Sequence, residues 1–250
     1  MWQGFSKLVP ASLKQQFVSR VKQIARRVVI DEVLKNRTNQ ELLSARLESL
    51  SLETELFGSS ATRCRDRFEL LELAVDYARD KLGDGLYAEF GVSKGASINL
   101  LAKRIPGKTI FGFDSFEGLP EFWKRGSYSG IEAQSEIFGK DVNMDVEDNV
   151  KLVKGWFNET VPGFLELHPE PVVFCHMDSD LYSSAKYLFD TLLFAQTAII
   201  VFDEYFNYPD WREHEYKAFQ EYLATHPNVS AWCLGYCPAF EQAAFVLTAA

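Results

Sequence analysis

Cysteine is scarce in this chain, and long apolar runs are absent. The 250 residues contain four cysteines, so a disulfide framework is not expected and we predict a reducing compartment, the cytoplasm. No segment reaches the ~18 consecutive apolar residues of a membrane-spanning helix. Cys233 and Cys237 have no second pair at the spacing of a zinc site. These absences argue against a disulfide-stapled scaffold, a membrane span and a structural zinc site.

Positive charge is also lacking over most of the sequence. The formal net charge is −9 at neutral pH. Residues 1–40 carry eight lysines and arginines against two acids, so the rest of the chain is even more acidic than the total suggests. A protein that covers a nucleic acid broadly needs a basic surface. We therefore expect no nucleic-acid partner.

The basic N-terminal residues belong to an amphipathic helical pattern over residues 10–35. Such a helix packs on its own domain or on a second subunit, or it lies on an anionic membrane surface. Residues 38–62 predict a helix followed by a loop, and residues 65–81 resume helical spacing. The sequence thus predicts a helical extension over residues 1–62, followed by one domain over residues 63–250.

Apolar content is high, with hydrophobic residues at 47% and aromatic residues at 14%. From residue 86 onward, continuous apolar runs alternate with helical patterns, which predicts right-handed βαβ units and a parallel sheet buried on both faces. The predicted strands are 86–92, 109–114, 150–154, 171–177 and 197–203. The predicted helices are 96–105, 134–148, 159–167, 182–195 and 211–225. Two last strands, 230–236 and 242–248, can pair only as an antiparallel hairpin.

A glycine turn follows the first of these strands. Gly91 and Gly95 separate the strand from a helix, and Asp114 ends the next strand. Glycine lets a backbone approach a ligand closely, and an acid at the next strand end can hold ribose hydroxyls. The third glycine of a pyrophosphate-binding turn is missing. The pattern therefore favours a nucleoside-bearing cofactor over a dinucleotide, with a plain β–α turn as the alternative.

Carboxylates follow two later strands. Asp178 ends strand 171–177, and Asp203 and Glu204 end strand 197–203. Strand ends converge at one edge of a parallel sheet, and clustered acids need a cation or a proton for neutrality. Oxygen ligands of this kind suit Mg²⁺. The alternative is that some of these acids cap helices or pair with arginine or lysine, and Asp180 is well placed as an N-cap.

Two histidines are candidates for catalysis. His176 lies two residues before Asp178, so both side chains point to the same face of the strand. It is either a general base or a buried core histidine. His214 lies on the helix after Glu204 and is expected to face the mouth of the substrate site.

Two further features flank the predicted site. The loop 115–123 contains aromatic residues that wall a ligand or simply pack the loop. Arg63, Arg65 and Arg67 precede the domain and either steer an anionic acceptor or form a solvated helix face.

Taken in order, these motifs resemble those of the macrocin O-methyltransferase family, a group of class I S-adenosylmethionine-dependent methyltransferases. The matching motifs span roughly residues 61–250. They are Glu89-x-Gly91-x-x-x-Gly95, Phe113-Asp114-Ser115-Phe116-Glu117-Gly118-Leu119-Pro120, Lys154-Gly155-Trp156-Phe157 with Thr160-Val161-Pro162, Asp178-Ser179-Asp180-Leu181-Tyr182 and Asp203-Glu204-Tyr205.

The resemblance implies an α/β, Rossmann-like, seven-stranded sheet of order 3-2-1-4-5-7-6 with the last strand antiparallel, joined to the helical N-terminal extension. It also implies homo-oligomers whose N-terminal segments help close the site. Asp178, Asp203 and Glu204 match the family's Mg²⁺ ligands, with Glu204 in place of an aspartate. The cofactor-binding residues that we predict for S-adenosylmethionine are Glu89, Phe90, Gly91, Ser93, Gly95, Ala96, Ser97, Asp114, Ser115, Phe116, Gly155, Trp156 and Asp178.

The sequence therefore predicts an S-adenosylmethionine-dependent O-methyltransferase that is assisted by a divalent metal. Its acceptor is expected to be a hydroxyl of a sugar or glycosylated natural product, with Asp178, His176 and His214 as the candidate catalytic residues. Two alternatives stay open. One is an inactive scaffold that keeps the fold and docks through its basic N-terminal helix, with peripheral membrane contact through residues 10–35. The other is a nicotinamide-dependent oxidoreductase, which the missing third glycine disfavours.

Overall fold

A computed structural model describes residues 37–55, 60–121, 144–239 and 241–250. Residues 45–250 form one compact unit. The predicted basic helix over residues 10–35 lies outside the described residues, so its oligomer and membrane contacts stay predictions. The predicted helix over 134–148 falls largely outside them too. Its described part, from residue 144 onward, is not helical, and that part of the prediction is wrong.

The described strands form one sheet. They are β1 (Thr62–Arg63), β2 (Leu86–Phe90), β3 (Ile110–Asp114), β4 (Val150–Lys154), β5 (Val172–Met177), β6 (Phe194–Phe202), β7 (Val229–Cys237) and β8 (Gln242–Ala249). Within the described ranges the sheet has eight strands, in the order β1-β7-β8-β6-β5-β2-β3-β4. Strand β8 is antiparallel to both of its neighbours, and the other pairings are parallel.

The predicted seven-strand order is confirmed, and strand β1 is an addition that the sequence analysis missed. Thr62 and Arg63 pair in parallel with Gly235 and Tyr236 at the outer edge of β7. Both strand residues are exposed. Their position is set by backbone pairing alone, and a two-residue exposed strand leaves no apolar pattern to read.

Helices cover both faces of the sheet. Five of the described helices do so: α2 (Arg67–Lys81), α3 (Ala96–Arg104), α4 (Phe157–Leu167), α5 (Tyr182–Thr191) and α6 (Glu215–Thr225). A further described helix, α1 (Arg37–Glu55), precedes them in the chain. Helices α2 and α3 share one apolar cluster with one face of the sheet, whereas α4, α5 and α6 share a second cluster with the other face. The outcome is a three-layer α/β fold with the sheet buried between helices.

Two predicted helix boundaries and one predicted helix cap are corrected by the structure. Helix α5 ends at Thr191 instead of 195 because Leu192 is extended, and strand β6 then begins at Phe194. Helix α6 begins only at Glu215, after a short 3₁₀ turn over Trp211–Glu213. The N-cap of α5 is Leu181, without a side-chain cap, so the predicted cap role of Asp180 is wrong.

Among the described residues, none of the helices is both long enough and apolar enough to cross a bilayer.

Candidate active site

A cavity of about 610 Å³ opens at the carboxyl ends of the parallel strands. This is the edge where ligands bind in open α/β sheets. Of the predicted cofactor and metal residues, those lining it are Gly91, Ser93, Asp114, Ser115, Gly155, Trp156, Asp178, Asp203 and Glu204. The predicted residues outside its lining are Glu89, Phe90, Gly95, Ala96, Ser97, Phe116, His176 and His214. The structure thus brings together residues from five strand ends.

The turn after β2 requires glycine at residue 91. Gly91 has a φ of +98°, which L side chains rarely adopt. A Cβ at this position would lie 1.8 Å from the carbonyl oxygen of Asp178. The Gly91 N–H donates to the carbonyl of Phe113, at 2.9 Å. The turn therefore packs directly against the neighbouring strand ends, and no side chain fits there.

The Asp114 carboxylate organises this turn. One of its oxygens, Oδ2, accepts hydrogen bonds from the backbone N–H groups of Val92 and Ser93, both at 2.8 Å. Its Oδ1 accepts from the N–H of Phe116 at 2.7 Å. The side chain predicted to bind ribose therefore also fixes the two loops that surround it. Asp114 lines the cavity, which keeps it available to a ligand.

Glu89 supports the turn from below. It is fully buried on β2, and its Oε1 accepts from the hydroxyl of Ser97 at 2.7 Å. Ser97 lies in the first turn of α3, which Gly95 caps in the left-handed conformation with a φ of 79°. These residues lie behind the cavity wall and not in its lining, and their role as cofactor contacts stays a prediction.

The opposite wall is formed where β4 meets α4. Gly155 has a φ of +138°, and its N–H donates to the carbonyl of Asp114 at 3.0 Å. Trp156 is the N-cap residue of α4 and lines the cavity. An aromatic side chain and a backbone turn therefore belong to the same cavity lining as the glycine turn, which suits a flat ligand group.

Acidic side chains converge on the other half of the cavity. In the part of the chain that the structure describes, two groups bring possible ligand atoms within 4.8 Å of one another. One consists of Asp178, Asp180 and Glu204, and the other of His176, Asp178 and Asp203. The predicted trio of Asp178, Asp203 and Glu204 is therefore split between two groups that share Asp178. Asp180, which the sequence analysis assigned to a helix cap, joins one of them.

The pKa values of Asp178 and Asp203 are shifted in opposite directions. Burial, together with the negative charges of Asp203 and Asp180, raises the pKa of Asp178 well above its usual value. Burial acts on Asp203 in the same sense, but His176, Arg67 and a hydrogen bond from Gln242 hold its pKa below the usual value. Asp178 is therefore the more basic of the two carboxylates.

His176 lies beneath the cavity with no solvent exposure. Its Nδ1 is 3.3 Å from Glu89 Oε2, and its Nε2 is 3.7 Å from Asp203 Oδ1. Burial lowers its pKa, but the carboxylates of Asp203 and Glu89 beside the ring outweigh that effect and raise the pKa to about 10. An imidazolium, which is protonated on both nitrogens, has no lone pair with which to accept a further proton. The geometry favours the buried core histidine over the general base.

His214 is not brought into the cavity. It forms the junction between the 3₁₀ turn and α6, with φ −112° and ψ −131°. Its ring centroid lies 6.0 Å from that of Tyr208. Its predicted role in catalysis stays a prediction.

Parts of the loop 115–123 and of the arginine group line the cavity. Gly118, Leu119 and Pro120 of the loop line the cavity, while Phe122 and Trp123 lie outside the described residues. Of the three arginines, Arg67 lines the cavity, with its Nη1 3.7 Å from Asp203 Oδ2.

Sequence reasoning missed two residues that support the acids. Gln242 is buried and donates to Asp203. Glu215 is fully buried and accepts hydrogen bonds from Ser179 and Glu204. The signal for Glu215 was present in the sequence, since it shares the buried face of α6 with Ala218 and Phe219 at helical spacing.

Comparisons with solved structures identify the fold. The O-methyltransferase NovP is 19% identical, with 73% of this chain and 79% of NovP covered and a TM-score of 0.54. CalS11, a TDP-rhamnose 3'-O-methyltransferase of calicheamicin biosynthesis, is 26% identical, with coverages of 70% and 77% and a TM-score of 0.49. Rv0187 from MTB is 18% identical, with coverages of 83% and 89% and a TM-score of 0.46. The likeness to NovP shows the class I methyltransferase fold.

Comparisons of sequence identify the family. No curated protein matches the chain. The family model for macrocin O-methyltransferase (TylF) matches residues 12–231, most of the 250-residue chain. The protein therefore belongs to the macrocin O-methyltransferase (TylF) family and is an enzyme of the O-methyltransferase class.

Proposed function

We propose that this enzyme transfers a methyl group from S-adenosylmethionine to a hydroxyl of a sugar or glycosylated natural product, with a divalent cation held by its acid cluster. One observation carries the proposal. Asp178 joins the two halves of the cavity, since its N–H donates to Phe90 at 2.9 Å and its carbonyl packs on Gly91, while its carboxylate belongs to both acid groups. A nucleoside site and an acidic site thus share one residue.

The glycine-turn half suits the cofactor. The missing Cβ at Gly91 leaves its backbone open to close approach. Asp114 offers carboxylate oxygens where ribose hydroxyls are expected, and Trp156 offers an aromatic face. S-adenosylmethionine, when bound, supplies an electrophilic methyl group on a sulfonium centre.

The acid half suits a divalent cation. Asp178, Asp180 and Glu204 offer oxygen donors within 4.8 Å of one another, the donor type that Mg²⁺ prefers. The raised pKa of Asp178 reflects the cost of crowding these carboxylates together, a cost that a bound cation would relieve. A cation in this position would orient the acceptor hydroxyl and lower its pKa.

The remaining wall suits a polar, hydroxyl-rich acceptor. Ser183, Ser184 and Tyr187 line it from α5, and Asn158 and Glu159 line it from α4. These side chains donate and accept hydrogen bonds, as several sugar hydroxyls require. A sugar acceptor also agrees with the family to which the chain belongs.

Asp178 is the residue that we assign to proton removal. As the acceptor oxygen bonds to the methyl carbon, the carbon–sulfur bond breaks and its electron pair goes to sulfur. The hydroxyl proton passes to the Asp178 carboxylate, which lines the cavity and belongs to both acid groups. The enclosed cavity holds the two reactants in line and limits the access of water.

Calorimetric titration with S-adenosylhomocysteine tests the cofactor assignment. We expect the wild type to bind and Asp114→Ala to bind at least ~10-fold more weakly, because the variant loses both a ligand contact and the three hydrogen bonds that order the loops. Asp148→Ala, on an exposed turn, is the matched control. Absence of wild-type binding would contradict the proposal, and binding justifies assays of sugar acceptors with and without Mg²⁺.

A further inference from the structure

Glu215 lies directly behind the acid cluster. It is the first residue of α6, it has no solvent exposure, and it is not part of the cavity lining. A buried carboxylate is costly unless it is fully hydrogen-bonded. The partners of Glu215 therefore indicate what it contributes.

Those partners belong to both acid-bearing turns. Glu215 Oε1 accepts from the N–H and the hydroxyl of Ser179, each at 3.0 Å. Its Oε2 accepts from the N–H of Glu204 at 3.4 Å. Ser179 lies between Asp178 and Asp180. One carboxylate thus holds the backbone of the turn after β5 and of the turn after β6.

The rest of α6 fixes the position of Glu215. Ala218, Phe219 and Tyr222 lie on the same buried face of the helix and pack in the apolar core. The last described backbone bond between the two strand ends is from the Asp203 N–H to the carbonyl of Met177, at 2.9 Å. Beyond it, the Glu215 carboxylate connects the two turns at the level where their acids converge.

We propose that Glu215 is a positioning residue that sets the spacing of Asp178, Asp180 and Glu204 for a divalent cation. This inference rests on the proposed function, because it assumes that these carboxylates bind the cation. Glu215 does so through the backbone of the two turns and without touching the reactants. Groups that orient metal ligands in this way commonly change metal affinity by about 10- to 100-fold when they are altered.

Three variants of the full-length chain separate this role from general stabilisation. Glu215→Gln keeps one oxygen acceptor but turns an NH₂ group toward one of the two backbone N–H donors, so it releases one turn. Ser179→Ala removes only the hydroxyl bond and leaves both backbone bonds in place. Glu213→Gln, two residues away in an exposed ion pair with Lys217, is the matched control.

The readouts are Mn²⁺ binding by electron paramagnetic resonance, S-adenosylhomocysteine binding by calorimetry and the midpoint of thermal unfolding. We expect Glu215→Gln to weaken Mn²⁺ binding about 10-fold or more and Ser179→Ala to weaken it by a smaller factor. Glu213→Gln should bind Mn²⁺ like the wild type. All three should bind S-adenosylhomocysteine within about twofold of the wild type, because the side-chain hydrogen bonds that order the glycine turn come from Asp114, which none of the variants touches.

Several outcomes would overturn the proposal. Wild-type Mn²⁺ affinity in Glu215→Gln would show that Glu215 does not position the metal ligands, and it would leave the proposed function intact. A parallel loss of Mn²⁺ binding, cofactor binding and thermal stability would show a structural role instead. If Glu215→Gln does not fold, Glu215→Asp replaces it, because the shorter side chain withdraws the carboxylate from the backbone N–H groups of Ser179 and Glu204, and wild-type Mn²⁺ affinity in Glu215→Asp decides against the proposal. A wild type that binds S-adenosylhomocysteine but no Mn²⁺ would remove the cation from the proposed function, and this inference with it.

Discussion

Glu89 and His176 are register partners on the adjacent strands β2 and β5, and Glu89 Oε2 lies 3.3 Å from His176 Nδ1 with both side chains fully buried. The other ring nitrogen of His176 lies 3.7 Å from Asp203. The imidazole therefore lies between the acid that supports the glycine turn and an acid of the cluster. This arrangement connects the two halves of the cavity below its floor.

Removal of His176 should destabilise the fold strongly. His176→Leu leaves the carboxylates of Glu89 and Asp203 buried without their shared partner, which typically costs about 3–5 kcal/mol. Urea denaturation, monitored by circular dichroism, measures the change in the free energy of unfolding. Lys186→Met, which breaks the exposed pair with Asp190, should stay close to the wild type. Equal stability of the two variants would contradict the buried ion pair.

Addition of one methyl group at Gly91 should abolish cofactor binding. In Gly91→Ala, the new Cβ would meet the Asp178 carbonyl, and the residue would keep an unfavourable φ of +98°. Calorimetry with S-adenosylhomocysteine measures the loss. Gly163→Ala makes the same chemical change within α4, where nothing lies within 4 Å of the new Cβ. That control should bind normally and be about 0.5–1 kcal/mol more stable. Normal cofactor binding by Gly91→Ala would place the site elsewhere.

Replacement of Asp178 by asparagine should slow methyl transfer strongly and leave the fold unchanged. Asn has the same shape but cannot serve as the proton acceptor, and loss of such a group costs about 10²- to 10⁴-fold in rate. Single-turnover assays with an accepted sugar substrate measure this effect. Asp148→Asn, on an exposed turn, should retain the wild-type rate. A wild-type rate in Asp178→Asn would assign proton removal to another group.

The cysteines should be unreactive in the folded protein. Cys64, Cys175, Cys233 and Cys237 are all free and buried. Burial raises the pKa of Cys64 to about 11 and that of Cys233 to about 12. Thiolate, the reactive form, is therefore scarce near pH ~8 and increases only at more alkaline pH. Ellman's reagent should detect almost no thiol in the native state and four in guanidinium. Rapid labelling of the native protein would contradict this burial.

The sheet could be predicted from sequence because buried parallel strands are continuous apolar runs. The runs around Phe174 and Ile200 are fully buried in the structure. The order of the strands was implied by the family resemblance, since apolar runs alone do not fix it. The edge strand at Thr62 could not be predicted, because it is exposed and held by backbone pairing. An apolar pattern in the sequence predicts which residues are buried. It does not predict that two exposed residues pair with a strand that is distant in sequence.

The candidate site was predictable in part for the same reason. Gly91, Asp114 and Asp178 follow strands directly, so the fold class alone brings them to one edge. The distance between carboxylates depends on backbone turns that have no sequence signature. Asp180 adopts a φ of +60° and joins the cluster, contrary to the expected helix cap. The buried position of His176 was likewise an open alternative until its neighbours on β2 and β6 were known.

Strand β8 lies between β6 and β7, and its first residue, Gln242, donates to Asp203. During synthesis, β6 and β7 leave the ribosome before the strand that joins them. Until residues 242–249 have emerged, β6 has an unpaired edge, and Asp203 lacks one of its donors. The nascent chain therefore lacks the Gln242 donor to Asp203 until this strand has emerged, and interruption before it would leave an exposed, aggregation-prone sheet edge.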